Sequence, residues 1–324
     1  MEKVKIAIAG FGRIVELVHV PLIHGLEEFE IVGVYDITPN RREMAAKRRF
    51  HVFASYEDLL KSDCQLVLVA TPPNSHCSLA SQALESGKHV LIEKPVTLNV
   101  AEASRLKELS RERGRFVSVF QNRRYSPDYK LIKKMLADKA LGNVSFIERR
   151  HHVFGAPVWF GVKSFDPYWR VKPEMGGGAL MDWGVHLLDQ FVDLRLGELD
   201  EIRSHAAKLP GAEGSTEDYV HVFLKLKSGL LYTIDINFRS DAAEPLWIVG
   251  GEKQTLVVTS EKEAVLMEKG KTVQELEMEK ASRKDGQEIY KGCSSCIHAE
   301  GPLAVGLDDA IDVLTIIERI REGW

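Results

Sequence analysis

Hydrophobic positions follow two rhythms along the chain. Over the first 120 residues they gather into short runs rich in β-branched residues: Val4 to Ala9, Glu30 to Tyr35, Gln65 to Ala70, Val90 to Ile92 and Phe116 to Phe120. Segments of helical period separate these runs. Near-continuous apolar strands alternating with helices predict a parallel, doubly wound sheet with both faces covered. The punctuation agrees. Ser55 opens a helix through Leu60, Gly87 follows the helix ending at Glu85, and Asn99 with Glu102 forms a capping box for a helix running to Gly114. Pro21 is expected to kink or shorten the first helix.

Beyond residue 126 the rhythm changes. Ser126-Pro127 starts a helix predicted to end near Gly142, and Ser145 to Phe154 reads as a long strand. From Leu199 onward strands dominate: Glu201 to Ala206, Tyr219 to Lys227, Leu230 to Phe238, Leu246 to Gly250, Gln254 to Thr259 and Ala264 to Glu268. Short turns such as Ser228-Gly229 and Gly250-Gly251 join them, which is the signature of an antiparallel meander. A helix follows Gly176-Gly177-Gly178, with apolar residues at Leu180, Leu187, Leu188, Phe191 and Leu194, and an amphipathic helix over about 307–320 closes the chain. The expected fold class is α/β. A Rossmann doubly wound parallel sheet over 1–122 precedes an α+β domain over 123–324 with a large, mostly antiparallel open sheet. An antiparallel sheet covered by helices on one face leaves the other face for a partner subunit.

Composition narrows the function classes. The 324 residues are 44% hydrophobic and 28% charged, with a net charge of −4 and no long basic run. Nucleic acid and an anionic membrane surface are therefore not expected partners. No apolar stretch approaches the ~20 residues needed to span a bilayer, and the N-terminal residues enter a strand without a signal peptide. Four cysteines are too few for a disulfide framework in a chain of this length. Cys293 and Cys296 form a lone Cys-x-x-Cys with only His298 nearby, short of the four ligands of a structural zinc site, so no metal is expected. A reduced, cytoplasmic protein is the reading.

Candidate chemistry gathers at strand ends. Gly10-Phe11-Gly12-Arg13-Ile14 follows the first strand at once, where glycines permit a tight turn and close approach to a pyrophosphate at a helix N-terminus. Val15 stands where a third small residue is usual. Asp36 ends the second strand near the ~20-residue offset of an acid that binds a ribose 2′-hydroxyl. That carboxylate favours NAD, while Arg41 or Arg42 would accommodate NADP if Asp36 turned away. Thr71, Pro72, Asn74 and His76 follow the third strand, with His76 equally readable as a polar surface residue. Glu93-Lys94-Pro95 follows the fourth strand, and Pro95 keeps Lys94 out of the helical region. Alone, that tripeptide reads first as a strand stop with solvated charges; what lies on either side draws it toward a ligand. Asp182 and His186 lie four apart on one helix, where a carboxylate raises imidazole basicity and fixes its tautomer.

Taken in order, Gly-x-Gly, Asp36, Thr71-Pro72, Glu93-Lys94-Pro95 and Gly-Gly-Gly-x-x-x-Asp-x-x-x-His resemble the glucose–fructose oxidoreductase and inositol 2-dehydrogenase family, Gfo/Idh/MocA. The likeness runs over essentially the whole chain. Val117 to Tyr125 and Gly176 to Gln190 resemble this family too, including its scyllo-inositol dehydrogenase-like branch. The resemblance implies an NAD(P)-dependent dehydrogenase acting on a secondary alcohol of a sugar, inositol or related polyol. It implies Lys94, Asp182 and His186 as the catalytic group. Gly10, Phe11, Gly12, Arg13, Ile14, Asp36, Arg41, Thr71, Pro72, Asn74, His76, Glu93, Lys94 and Gln121 are the expected cofactor contacts. Arg124, Tyr125 and Trp169, with Asp182 and His186, are the expected substrate contacts, and His151, Trp159, Tyr168 and Arg170 are further pocket candidates. His186 and Lys94 are both candidates for the proton acceptor. Two rivals stand beside this reading: a non-catalytic cofactor or sugar sensor, and an NAD-dependent glycoside-cleaving enzyme using transient oxidation. Pairing of sheets implies a homodimer or homotetramer.

Overall fold

The structure, a computed structural model, describes residues 2–155, 165–282 and 284–324. Its first sheet has five strands: β1 (Val4–Ala9), β2 (Phe29–Tyr35), β3 (Leu66–Val69), β4 (His89–Glu93) and β5 (Val117–Phe120). They lie in the order β2-β1-β3-β4-β5, and every pair is parallel. All residues of β3 and β5 are buried, as expected of strands covered on both faces. The connecting helices are α1 (15–24), α2 (Pro39–Lys47), α3 (Tyr56–Lys61), α4 (His76–Glu85) and α5 (Val100–Arg113). The capping box forms: Asn99 Oδ1 accepts the Glu102 N–H at 2.9 Å, and Glu102 reaches back to the Leu98 N–H at 3.1 Å. Gly114 ends α5 in the left-handed region, where a Cβ would be strained.

Helix α1 is not a simple α-helix. It runs as a π-turn over Val15–His19 and as α-helix over Val20–His24. Pro21 sits just after the π-turn, so the missing backbone donor is met by a local change of winding rather than a stop.

The second sheet has eight strands: β6 (Val144–His152), β7 (Leu199–Ala207), β8 (Tyr219–Leu226), β9 (Leu231–Asn237), β10 (Trp247–Gly251), β11 (Thr255–Val258), β12 (Ala264–Glu268) and β13 (Lys271–Leu276). Their order is β13-β12-β11-β10-β6-β9-β8-β7, antiparallel except for the β6–β9 pair. Burial alternates strictly along β8 and β9. On the buried face, Tyr129 of α6 (Pro127–Ala137) stacks on Trp247, and Phe191 of α7 (180–193) meets Tyr232 edge to face. The opposite face carries half-buried Phe146, Phe223, Leu231 and Ile248. Helix α7 begins as a π-turn over Leu180–Gly184 and continues over Val185–Asp193.

Three elements depart from the sequence reading. Helix α6 ends at Ala137, five residues before Gly142, because Lys139 turns to positive φ. Strand β13 was not expected: it is exposed and polar, so no apolar alternation marks it. Helix α8 (Gln287–Ile297) was also missed, and it returns the chain to β5 and α1 of the first sheet. Helix α9 (Leu307–Arg321) then packs on α5 and α7, tying the two halves together.

Candidate functional site

The carboxyl ends of β1, β3, β4 and β5 converge with the start of α7. In an open sheet with β1 between β2 and β3, this is the switch point where ligands bind. Gly10 turns immediately after β1 at φ +96°, and a Cβ there would meet the Ala70 carbonyl oxygen at 2.6 Å. Only glycine lets β1 and the end of β3 approach so closely. Gly12 faces open space, with nothing within 4 Å of where its Cβ would lie. Arg13 is exposed and Ile14 half-buried as the helix begins. Asp36 organises the turn: its Oδ2 accepts the Phe11 N–H at 2.6 Å and its Oδ1 the Thr38 N–H at 2.7 Å.

Several residues expected to face a cofactor serve instead as internal braces. Arg41 is buried, donates to the Phe11 carbonyl at 2.6 Å and pairs with Glu16. Arg42 donates to the Asp36 carbonyl at 2.7 Å. His76 is fully buried, with Nδ1 on the Pro95 carbonyl and Nε2 on the Thr71 carbonyl, each at 2.8 Å. Burial holds its pKa below the ordinary value. It therefore staples the end of β3 to the end of β4. Thr71 shares a hydrogen bond with Ser75, Pro72 is half-buried and Asn74 is exposed.

Two π-turns grip the Glu93-Lys94 dipeptide. From the first, His19 Nε2 reaches Glu93 Oε1 at 2.8 Å, and its Nδ1 meets the Tyr290 hydroxyl of α8 at 2.6 Å. Burial pushes the Glu93 pKa up, but His19 and the neighbouring Lys94 outweigh it and hold the carboxyl below its usual range. From the second, the Asp182 backbone carbonyl and Oδ1 accept from Lys94 Nζ at 2.7 and 3.1 Å. Burial alone would raise the Asp182 pKa; Lys94 and Arg170 hold it down instead. Lys94 has three N–H donors, and Asp182 takes two.

The expected Asp182–His186 pair does not form a hydrogen bond. The Asp182 carboxylate turns to the ammonium of Lys94, a charged donor, and His186 turns to the other half of the molecule. Its Nδ1 lies 2.9 Å from Gln121 Oε1, just beyond β5. His186 Nε2 has no hydrogen-bond partner among the described residues. The imidazole pKa lies well below 6.5, through burial first and then through Lys94, Arg123, His151 and Arg149. Asp182 does not raise its basicity.

Around this centre His151 of β6 stacks on Trp183 with centroids 3.5 Å apart, and its buried Nε2 has no partner among the described residues. Arg123 lies over the Trp183 ring, 4.9 Å from its centroid. Arg170 stacks on Trp169 at 4.2 Å and reaches a cavity walled by Gly178, Asp218, Phe238 and Arg239. Tyr168 is exposed, and Trp159 lies outside the described residues. Arg124 does not line this centre. It is buried against Asp189, Asp193 and Asp309, bidentate to Asp189 at 2.6 and 2.7 Å. Three carboxylates from α7 and α9 draw it inward. Tyr125 beside it is half-buried against the core.

Sequence reasoning missed His19, Tyr290 and Trp183. His19 had a signal: a histidine on the buried face of α1, between Val15 and Leu22, needs a polar partner. Tyr290 had none, because α8 was not recognised.

Two family models match the chain. The oxidoreductase family model with an NAD-binding Rossmann fold covers residues 4–121, and the GFO/IDH/MocA C-terminal domain model covers residues 129–257. The chain belongs to the Gfo/Idh/MocA family. The Escherichia coli (strain K12) uncharacterized oxidoreductase YdgJ is 30% identical over 69% of this chain and 62% of its own length. The scyllo-inositol 2-dehydrogenase (NADP(+)) IolW of Bacillus subtilis (strain 168) is 29% identical over 69% of this chain and 60% of its own. Alignment thus spans under two thirds of these relatives. A solved NAD-binding protein from Listeria innocua superposes with a TM-score of 0.88 at 28% identity, covering 99% of this chain and 95% of that one. The donor set fits the dinucleotide this family binds. The open space at Gly12 leaves room for a pyrophosphate at the start of α1, and Asp36 is held at the end of β2 near it.

Proposed function

We propose that this Gfo/Idh/MocA protein is an NAD-dependent dehydrogenase that oxidises a secondary alcohol of an inositol, sugar or related polyol, reversibly. One observation carries the reading: a lysine and an imidazole meet at the switch point, one fixed by each half of the chain, and among the described residues Lys94 keeps one donor and His186 Nε2 has no partner. The nicotinamide, when bound, exchanges hydride with the alcohol carbon. The protein must then hold the alcohol and move its proton. His186 Nε2 accepts that proton. The third N–H of Lys94 hydrogen-bonds the same oxygen and stabilises its developing negative charge. Asp182 aims the ammonium, and Trp183, His151 and Arg170 border the space left for the substrate ring and its hydroxyls.

NAD is favoured over NADP by the state of the two arginines. Asp36 keeps a carboxylate where a 2′-phosphate would sit, while Arg41 is tied to Phe11 and Glu16 and Arg42 to backbone carbonyls. The half-apolar outer face of the eight-stranded sheet supports a homodimer or homotetramer through that sheet. No described helix is long and apolar enough to cross a membrane, and all four cysteines are free, which supports a cytoplasmic setting. The test is a panel of inositols, sugars and linear polyols with NAD and NADP, followed by reduced-cofactor absorbance. Turnover with at least one polyol, faster with NAD, is expected. NADH binding without turnover across the panel would contradict the reading and favour a sensor.

A further inference from the structure

We propose that Gln121 is a positioning residue that fixes the tautomer of His186, placing the proton on Nδ1 and leaving Nε2 bare toward the reacting hydroxyl. Gln121 and His186 are 3% and 5% exposed, so neither side chain exchanges its partner for water at will. The orientation of the amide follows from its second neighbour. Gln121 Nε2 faces the Val185 carbonyl oxygen at 3.5 Å, and Oε1 faces His186 Nδ1 at 2.9 Å. The opposite amide orientation would point an oxygen at the Val185 oxygen and an NH2 at the ring, placing two acceptors face to face. With Oε1 toward the ring, Nδ1 must donate.

The groups around the ring make this constraint consequential. Lys94 beyond β4, Arg123 beyond β5, and His151 and Arg149 on β6 all disfavour the imidazolium. Without a carboxylate partner, the neutral ring has two tautomers, and only one presents a proton acceptor to the cleft. The two carboxylates nearest in sequence are both engaged elsewhere: Asp182 by Lys94 and Asp189 by Arg124. The amide that selects the tautomer comes from the nucleotide-binding half, and the imidazole from the other half. Gln121 thus holds the base in register with the place where the cofactor binds.

The inference rests on the proposed dehydrogenase reading, but its test does not require turnover. The first readout is the pair of His186 ring 15N chemical shifts in the full-length protein without ligand, assigned by comparison with His186→Gln. A protonated Nδ1 and a bare Nε2 are expected in the wild type, and a mixture or reversal in Gln121→Leu. The second readout is kinetic. Gln121→Leu should lower kcat about 10- to 100-fold, the scale of a misplaced catalytic group, with KM and NADH affinity within a few-fold. Gln121→Glu is isosteric and keeps the acceptor while adding a charge. It should shift the acid limb of the pH profile upward by about 1–2 units, because a carboxylate at Nδ1 favours the imidazolium. Melting curves confirm that the variants are folded; if Gln121→Leu is not, Gln121→Glu carries the test. A wild-type ring protonated on Nε2, or a Gln121→Glu variant with an unmoved pH profile, overturns the inference. The expected shifts without polyol turnover would leave it standing and sink the dehydrogenase reading alone.

Discussion

The nucleotide half and the substrate half of the site are built differently. In the first, the groups that shape the cradle are tied to the protein before any ligand arrives: Asp36 holds two backbone N–H groups, Arg41 a carbonyl and a carboxylate, and His76 lies wedged between two carbonyls. In the second, polar capacity is left open among the described residues, at Lys94 Nζ, His186 Nε2 and His151 Nε2. A dinucleotide is the same from one turnover to the next, so its cradle is rigid backbone. On the proposed function, a substrate would be bound through the groups that also do chemistry, and unpaired groups suit that task. Rigidity on one side and unmet hydrogen bonds on the other are what a preorganised site requires.

The two glycines of the first turn separate these roles most sharply. Gly10→Ala should unfold the switch point or abolish NADH binding, because its Cβ would strike the Ala70 backbone. Gly12→Ala should leave the melting temperature unchanged while weakening NADH at least tenfold, since its Cβ meets no protein atom. Calorimetry and fluorescence titration check the pair. Unchanged NADH affinity in Gly12→Ala would remove the pyrophosphate from that space. Next in size, Arg124→Ala should cost about 3–5 kcal/mol of stability, the usual result of leaving buried charge unpaired. Asp189, Asp193 and Asp309 would then face each other across α7 and α9. A small loss in denaturant melts together with a raised KM would return Arg124 to the substrate.

A smaller effect is expected from acid. Burial of the ring holds the pKa values of His76, His151 and His186 below 6.5, and partial burial pushes His89 down to about 4. The unfolded chain binds protons at these positions that the folded chain refuses. Stability is therefore full above the ordinary histidine value and is lost as pH falls through it, over the window below about 6.5. His221, held up by Asp235, opposes this slightly. Melting temperatures from neutral pH downward should decline, and a flat profile would mean the buried rings have other partners.

The difference between the halves also decides what could be read from the sequence. The parallel sheet was legible because its strands are buried on both faces and its helices carry caps, as at Asn99 and Gly114. Glu93-Lys94 and Asp182 were legible as short motifs at element ends. The partner of His186 was not. Asp182 lies four residues away on the same helix, whereas Gln121 arrives from 65 residues away across the fold. Arg124 shows the reverse error: a basic residue next to a motif was drawn into the core by carboxylates on α7 and α9. Local spacing sees neighbours on one element, while the ring of charges around His186 is assembled by tertiary packing. Strand β13 escaped because an exposed, polar edge has no apolar alternation to reveal it.

The most direct test of the account compares Lys94→Ala and His186→Ala with the wild type in the same two assays, NADH binding and polyol turnover. NADH affinity is expected to stay within a few-fold in both variants while turnover falls by about 10²–10⁴ in each, the range for lost proton-transfer assistance. Turnover close to wild type in both variants would show that the chemistry does not pass between the lysine and the imidazole.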